Sequence, residues 1–135
     1  MQQFFRRFGA LASDSTPCGK PLSMAHAHAL MALLQNGELT QQALGAELGI
    51  DKSNVARLCA KMADADHVQQ RPNAADGRSR LVSLTPRGSK LAGEVDAASR
   101  AKFGALLGDL PKARRAEVIR ALQHLVDALE PKEAV

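Results

Sequence analysis

Near the middle of this 135-residue chain, a set of short and forked polar side chains lies at helical spacing. Ser53, Asn54, Arg57 and Lys61 share one face of a predicted helix, and Lys52 precedes them. Hydroxyl, amide and guanidinium groups hydrogen-bond to base edges in the major groove of DNA, whereas lysine pairs with phosphate. The alternative is an ordinary solvated helix face. Because the set follows a short helix and a tight turn, the pattern favours duplex DNA as the ligand.

A second cluster of charge lies in residues 68–90, which contain five basic residues and a single acidic residue, Asp76. Asp76, Arg78 and Arg80 lie at the tip of a predicted hairpin. Two arginines this close repel each other unless an anion compensates them. We therefore expect Asp76 to orient one arginine while Arg78 enters the minor groove, where negative potential is concentrated. A merely soluble hairpin tip is the alternative.

The composition, with 45% hydrophobic and 24% charged residues, is that of a globular protein of one domain. The net charge of +4 is local, since residues 40–90 carry eight basic and five acidic residues while residues 91–135 carry seven of each. A local positive field of this kind suits a polyanion. No apolar run in the sequence is long enough to span a membrane, and arginines interrupt the apolar start. We therefore expect a cytoplasmic protein.

The sequence shows no P-loop, no Gly-x-Gly-x-x-Gly motif and no Ser-His-Asp arrangement, so we predict neither catalysis nor a cofactor or metal. His26 and His28 point about 200° apart on a helix and do not chelate one ion together. A histidine on this helix is a candidate for lining a ligand pocket. Cys18, in a loop beside Lys20, is the candidate redox sensor, whereas Cys59 is predicted to fill the core.

Apolar periodicity predicts a mainly α fold with one small β-hairpin. The predicted helices cover residues 2–12, 23–35, 40–49, 51–65, 86–107 and 111–130, and the predicted strands cover residues 68–71 and 80–85. The connection between the strands, residues 72–77, is too long for a two-residue turn and is rich in turn formers.

The central pair of helices forms a predicted helix-turn-helix. Thr40 and Asp51 cap the two helices, and Gly49 ends the first. Gly45 lets the neighbouring helix approach closely. Inward positions are predicted for Ala43, Leu44 and Leu48 on the first helix and for Val55, Leu58, Cys59 and Met62 on the second. Thr40 and Gln41 are predicted to contact the DNA backbone.

Both terminal helices are predicted to be amphipathic. Phe4 and Phe8 lie four residues apart on the first. On the last helix, the apolar residues are spaced three, four and three positions apart, as in a coiled-coil seam: Ile119, Leu122, Val126 and Leu129.

The segments LTQQALGAELGIDKSNVARLCAKM and RPNAADGRSRLVSLTPRG resemble the DNA-binding half of the MarR (multiple antibiotic resistance regulator) family of bacterial transcription factors. The resemblance implies a homodimer joined by its terminal helices, with a recognition helix at residues 53–65 and a wing whose Asp and second Arg are Asp76 and Arg78. It also implies a response to phenolic or other small ligands, or to oxidants. The chain departs from the family at Asp66, where a glycine usually ends the recognition helix.

We therefore predict a winged helix-turn-helix protein with N- and C-terminal dimerisation helices. The prediction is one MarR-like domain over residues 1–135, with residues 22–90 binding DNA and residues 1–21 and 91–135 forming the dimer. Its predicted function is ligand- or oxidant-responsive repression from a pseudo-palindromic operator, bound as a homodimer. The alternative is a winged-helix interaction module that docks an acidic protein partner, a role that would not need Asn54 and Arg57.

Overall fold

The computed structural model describes residues 1–12 and 14–130, and this part of the chain contains six α-helices and three strands. In chain order the elements are α1 (Gln2–Phe8), α2 (Met24–Asn36), β1 (Leu39–Thr40), α3 (Gln41–Leu48), α4 (Lys52–Asp64), β2 (Val68–Asn73), β3 (Asp76–Leu84), α5 (Pro86–Gly108), a 3-10 turn (Lys112–Arg114) and α6 (Arg115–Leu129). The chain divides into two compact units, Met1–Arg100 and a second from Ala101 onward, and the division falls within α5.

Four helices of the first unit begin at a capping side chain, and these include the predicted caps Thr40 and Asp51. In each case the side-chain oxygen accepts a hydrogen bond from the backbone N–H three residues on, at 2.8 to 3.1 Å. The capping residues are Ser23, Thr40, Asp51 and Thr85. These bonds satisfy N–H groups that have no acceptor within the first turn, and so they fix where each helix starts.

The core of the first unit lies between α2, α3, α4 and the sheet. Leu30 and Leu33 of α2 meet Leu44 of α3 and the apolar stripe of α4. That stripe is buried as predicted: Val55, Leu58, Cys59 and Met62. Gly45 allows the two central helices to cross closely, since a Cβ at Gly45 would lie 3.4 Å from Val55 Cγ1 of α4 and 3.3 Å from the Ile50 carbonyl oxygen in the turn. The inward orientation predicted for Ala43 is wrong, because Leu44 takes the buried position and the adjacent Ala43 is exposed.

The sheet has the antiparallel order β1-β3-β2. It differs from the predicted hairpin in the length of the turn and in the additional strand β1. The strands continue to the pair Asn73 and Asp76, which leaves a two-residue turn, Ala74 and Ala75, instead of a six-residue loop. Pro72 is tolerated because β2 is an edge strand, where a missing N–H costs no ladder bond. The strand β1 was not predicted, since its two residues are too few to show alternation.

The two terminal helices are shorter than predicted. The helix α1 ends at Phe8 and not at Ala12, because Gly9 adopts a left-handed conformation with φ of 92°. The last helix begins at Arg115 and not at Pro111, because a 3-10 turn separates them.

The end of α4 is joined to β2 and α5 by a compact backbone junction. The Thr85 hydroxyl donates to the Asp66 carbonyl at 2.6 Å, and the Thr85 N–H donates to the His67 carbonyl at 3.1 Å. Gly88 packs so tightly here that a Cβ would lie 1.8 Å from the His67 carbonyl oxygen. Asp66 itself has φ of 61°, so the position where a glycine was expected is left-handed and is occupied by an aspartate.

Candidate nucleic-acid interface

The polar face of α4 points away from the core. Its apolar stripe is buried, and the residues of the opposite face are exposed: Lys52, Ser53, Asn54, Arg57 and Lys61. The predicted side chains are therefore brought together on one accessible helix surface. The major groove of DNA is wide enough to admit an α-helix, so this exposed face could contact base edges there.

Three of the residues around this face form a hydrogen-bonded chain. Asp51 Oδ1 accepts from the Asn54 backbone N–H at 2.8 Å, and Asp51 Oδ2 accepts from Asn54 Nδ2 at 3.0 Å. The Asn54 Oδ1 in turn accepts from an Nη of Arg57 at 2.6 Å. Spacings of three residues place these groups one turn apart on the same side of the helix.

The wing, which is the hairpin of β2 and β3, carries exposed charge at its tip. Asp76, Arg78 and Arg80 are all exposed. Asp76 Oδ1 accepts a hydrogen bond from the Arg78 backbone N–H at 3.1 Å. The aspartate thus orders the backbone that carries Arg78, and none of the ion pairs within the described ranges joins it to a guanidinium.

A cleft of about 700 Å³ lies between α3, α4 and the wing. Five of the predicted contact residues line it: Gln41, Lys52, Asp76, Arg78 and Arg80. Three cations face one carboxylate here, while the floor is apolar and includes Ile50 and Val55. The start of α4 and the wing therefore line one cleft with an excess of positive charge.

Two polar links that were not predicted tie β2 of the wing to the connection after α2 and to the start of α3. Arg71 donates to both carboxylate oxygens of Glu38, at 2.6 and 3.1 Å. Gln41 Nε2 donates to Gln70 Oε1. The partners lie about 30 positions apart in sequence, so no local spacing signals them. Arg71 is thereby paired within the chain, whereas the part of the chain that the structure describes shows no ion pair for Arg78 or Arg80.

Thr40 and Gln41 both have hydrogen-bond partners within the chain. The Thr40 hydroxyl accepts the N–H of Ala43 as a helix cap, and the Gln41 amide donates to Gln70. Their contact with the DNA backbone remains a prediction.

The two histidines of α2 are not brought together. His28 is exposed, whereas His26 Nε2 lies 2.9 Å from Nδ1 of His67. His67 is buried, with its ring at 73° to that of His26. Burial lowers the pKa of His26, and the charges of His67 and Lys61 lower it further. No local pattern signals the pair of His26 and His67, because its members lie 41 positions apart. A ligand-pocket role for His26 and His28 stays a prediction.

The two cysteines differ in surroundings. Cys59 is fully buried, and burial raises the pKa of its thiol to about 11, so it stays a protonated core group as predicted. Cys18 is partly buried in a tight turn, with Sγ 2.9 Å from the Thr16 hydroxyl oxygen.

The predicted dimerisation residues are mostly accessible. In α1, Phe4 is exposed and stacks on the partly buried Phe8, with ring centroids 5.6 Å apart. In α6, Leu122 is partly buried and the other three seam residues are exposed: Ile119, Val126 and Leu129.

Within residues 1–12 and 14–130, no helix is long and apolar enough to cross a membrane. The same ranges contain no group of three His, Cys, Asp or Glu side chains placed to hold a metal ion.

Comparison with known proteins identifies relatives of this fold and interface. The model of the MarR family matches residues 20–79. An HTH-type transcriptional regulator from Mycobacterium tuberculosis is 32% identical over 111 residues, which cover 81% of this chain and 76% of that protein.

Solved structures have the same architecture. A probable transcriptional regulator from Pseudomonas aeruginosa is similar with a TM-score of 0.75 and 26% identity, over 93% of this chain and 92% of that one. The PcaV transcriptional regulator from Streptomyces coelicolor, solved in complex with its natural ligand, has a TM-score of 0.71 and 20% identity, over 96% and 87% of the two chains. The predicted winged helix-turn-helix fold is thus confirmed.

Proposed function

Because this chain belongs to the MarR family of transcriptional regulators, we propose that it binds an operator as a homodimer, with α4 of each protomer in the major groove. The observation that carries the proposal is the exposed polar face of α4 beside the cationic wing. Arg57 and its neighbours would contact base edges, while Arg78 and Arg80 of the wing contact the backbone or the minor groove.

Pairing of two protomers follows from the size of one reading helix. A single helix supplies few base contacts, whereas two helices about one DNA turn apart double them. The exposed apolar residues Ile119, Val126 and Leu129 of α6, together with Phe4 of α1, support a second copy of the chain as the partner. A symmetric dimer reads a site of matching two-fold symmetry, which is why we propose a pseudo-palindromic operator.

We further propose that the protein represses transcription and that an effector or an oxidant releases it. PcaV, whose fold this chain shares, binds a natural ligand. A change in the distance between the two α4 helices of a dimer would suffice to weaken binding. Cys18 is the thiol on which an oxidant would act, since Cys59 is buried in the core.

Gel-shift titration of the purified protein on random and selected duplexes tests the DNA-binding assignment. Arg78→Gln should weaken binding to every duplex and reduce the magnitude of the salt slope by about 1. Arg57→Gln should relax sequence preference instead. Arg100→Gln is the matched control, because it removes the same charge from a position on α5 that lies outside both the polar face of α4 and the wing. Binding that is indifferent to both changes would contradict the assignment and favour docking of an acidic protein.

Footprinting on DNA that flanks its own gene tests the regulatory part. We expect two protected half-sites with about 34 Å between their centres. Peroxide should abolish protection by the wild type and spare Cys18→Ser if Cys18 is the sensor. Equal sensitivity of both proteins would exclude that role for Cys18.

A further inference from the structure

The hydrogen-bonded chain on α4 fixes the orientation of one amide. Asn54 lies between two charged groups, with its Nδ2 3.0 Å from Asp51 Oδ2 and its Oδ1 2.6 Å from an Nη of Arg57. Rotating this amide by 180° would place oxygen against carboxylate and NH₂ against guanidinium, and both contacts would be repulsive. The charges on either side therefore select one orientation of Asn54.

The hydrogen bonds between Asp51, Asn54 and Arg57 leave Asn54 and Arg57 with different capacities to bind a base. Asn54 commits one N–H and one oxygen lone pair of its amide within the protein, and it keeps one N–H and one lone pair. Arg57 gives one of its five N–H groups to Asn54 and keeps four. Of the two, only Arg57 retains a free planar pair of donors.

We propose that Arg57 is the specificity-determining residue for one G·C pair in each half-site, and that Asp51 is a positioning residue that acts on it through Asn54. Guanine presents two acceptors, O6 and N7, in the major groove, and these match the guanidinium fork. Adenine offers a donor in place of O6 and is rejected. The inference rests on the proposed function of α4 as the reading helix.

The positioning step has a physical basis in conformational freedom. An exposed arginine samples many rotamers, and each one that binding excludes reduces affinity for the correct base. The bond from Arg57 to Asn54, held in turn by Asp51, restricts the guanidinium before DNA arrives. The gain should therefore appear at a single base position and not in overall DNA affinity.

The test is selection of the purified full-length chain against a library of random duplexes long enough for two half-sites, followed by sequencing. Wild-type protein should enrich a guanine at one position per half-site. Arg57→Lys should lower the preference for that guanine about ten-fold or more, since lysine has no planar fork. Asn54→Ala and Asp51→Ser should lower it about three- to ten-fold at the same position only.

Two comparisons separate positioning from helix stability. Asp51→Ser keeps a capping oxygen for the Asn54 N–H but loses the second oxygen that holds the Asn54 side chain, so its melting temperature should match the wild type. Asp51→Ala should show the same loss of preference together with a lower melting temperature. Lys61→Gln, on the same face, should weaken binding evenly at all positions.

Each outcome bears on one proposal. If wild-type protein enriches no motif, the proposed function of α4 fails. If a motif appears and Asp51→Ser leaves it unchanged, the positioning role of Asp51 is overturned. If Asn54→Ala instead loses an adenine at a different position, Asn54 reads a base directly and the assignment to Arg57 alone is overturned.

Discussion

The helices α4 and α6 have the same kind of amphipathic sequence but opposite surroundings. In α4 the apolar stripe is buried, with Cys59 and Met62 at 0% exposure. In α6 the corresponding stripe is open, with Ile119 50%, Val126 54% and Leu129 83% exposed. Periodicity therefore indicates which face of a helix is apolar, while the rest of the fold decides what covers it.

The ends of the two helices also differ, because those of α4 are held by hydrogen bonds and the start of α6 has no side-chain cap. The first turn of α4 is capped by Asp51, and its end runs into the junction of Asp66, His67 and Thr85. Arg114, which precedes α6, forms no capping hydrogen bond with its side chain. The helix α4 is therefore held at both ends within its own unit, whereas the apolar stripe of α6 is open to the second protomer proposed above.

The largest expected effect is that of a charge in the open stripe. Val126→Asp should convert the proposed dimer to monomers and lower affinity for a two-half-site duplex at least about 100-fold, because the two contacts no longer act together. Light scattering and gel shift measure the two effects. His124→Asp, on the opposite side of α6, is the control and should remain a dimer. A dimeric Val126→Asp protein with normal affinity would show that the stripe of α6 has another role.

Substitutions at the junction that follows α4 should change the free energy of unfolding and leave the oligomeric state unchanged. Gly88→Ala places a Cβ 1.8 Å from the His67 carbonyl oxygen, where backbone must move, and should cost about 2–3 kcal/mol of unfolding free energy. Gly93→Ala, on the same helix, meets nothing within 4 Å and should gain about 0.5–1 kcal/mol from helix propensity. Urea unfolding measures both. Similar values for the two variants would mean that the junction at Gly88 is loose.

The sequence predicted most of α4 and little of what its ends contact. Caps and apolar spacing are local signals, so the Asp51 cap and the buried stripe were predicted directly. The bond between His26 and His67 and the ion pair of Glu38 with Arg71 join distant residues, and only the fold brings them together. The hairpin turn was misplaced because Pro72 reads as a breaker until its edge position is known.

A smaller gain in stability is expected where α4 ends in a left-handed residue. Asp66→Gly should raise the unfolding free energy by about 0.5–1 kcal/mol, since glycine adopts φ of 61° without the Cβ penalty but loses more entropy on folding. Asp64→Gly is the control within α4 and should lower it by a similar amount. Denaturant midpoints give the comparison. A destabilised Asp66→Gly protein would show that the aspartate side chain stabilises this junction.

The smallest expected effect is a pH dependence at the same end of α4. Burial and the Arg87 guanidinium lower the pKa of His67, partly opposed by Asp66, while burial, His67 and Lys61 lower the pKa of His26. The hydrogen bond between the two rings requires one neutral nitrogen as acceptor. No other hydrogen bond of these side chains is found in residues 1–12 and 14–130.

The unfolded chain therefore binds more protons than the folded one at pH values just below 6.5, the ordinary pKa of histidine. The stability from this pair is complete above that pH and is lost as the pH falls through the lowered pKa values of the folded protein. We expect the melting temperature to drop by a few degrees between pH 7.5 and 5.5, a window that spans roughly one unit on either side of the ordinary histidine pKa. His26→Gln should flatten the dependence and His28→Gln, on the exposed side of α2, should preserve it. If the melting temperature fell equally with pH in all three proteins, the pair of His26 and His67 would not be the source of the pH dependence.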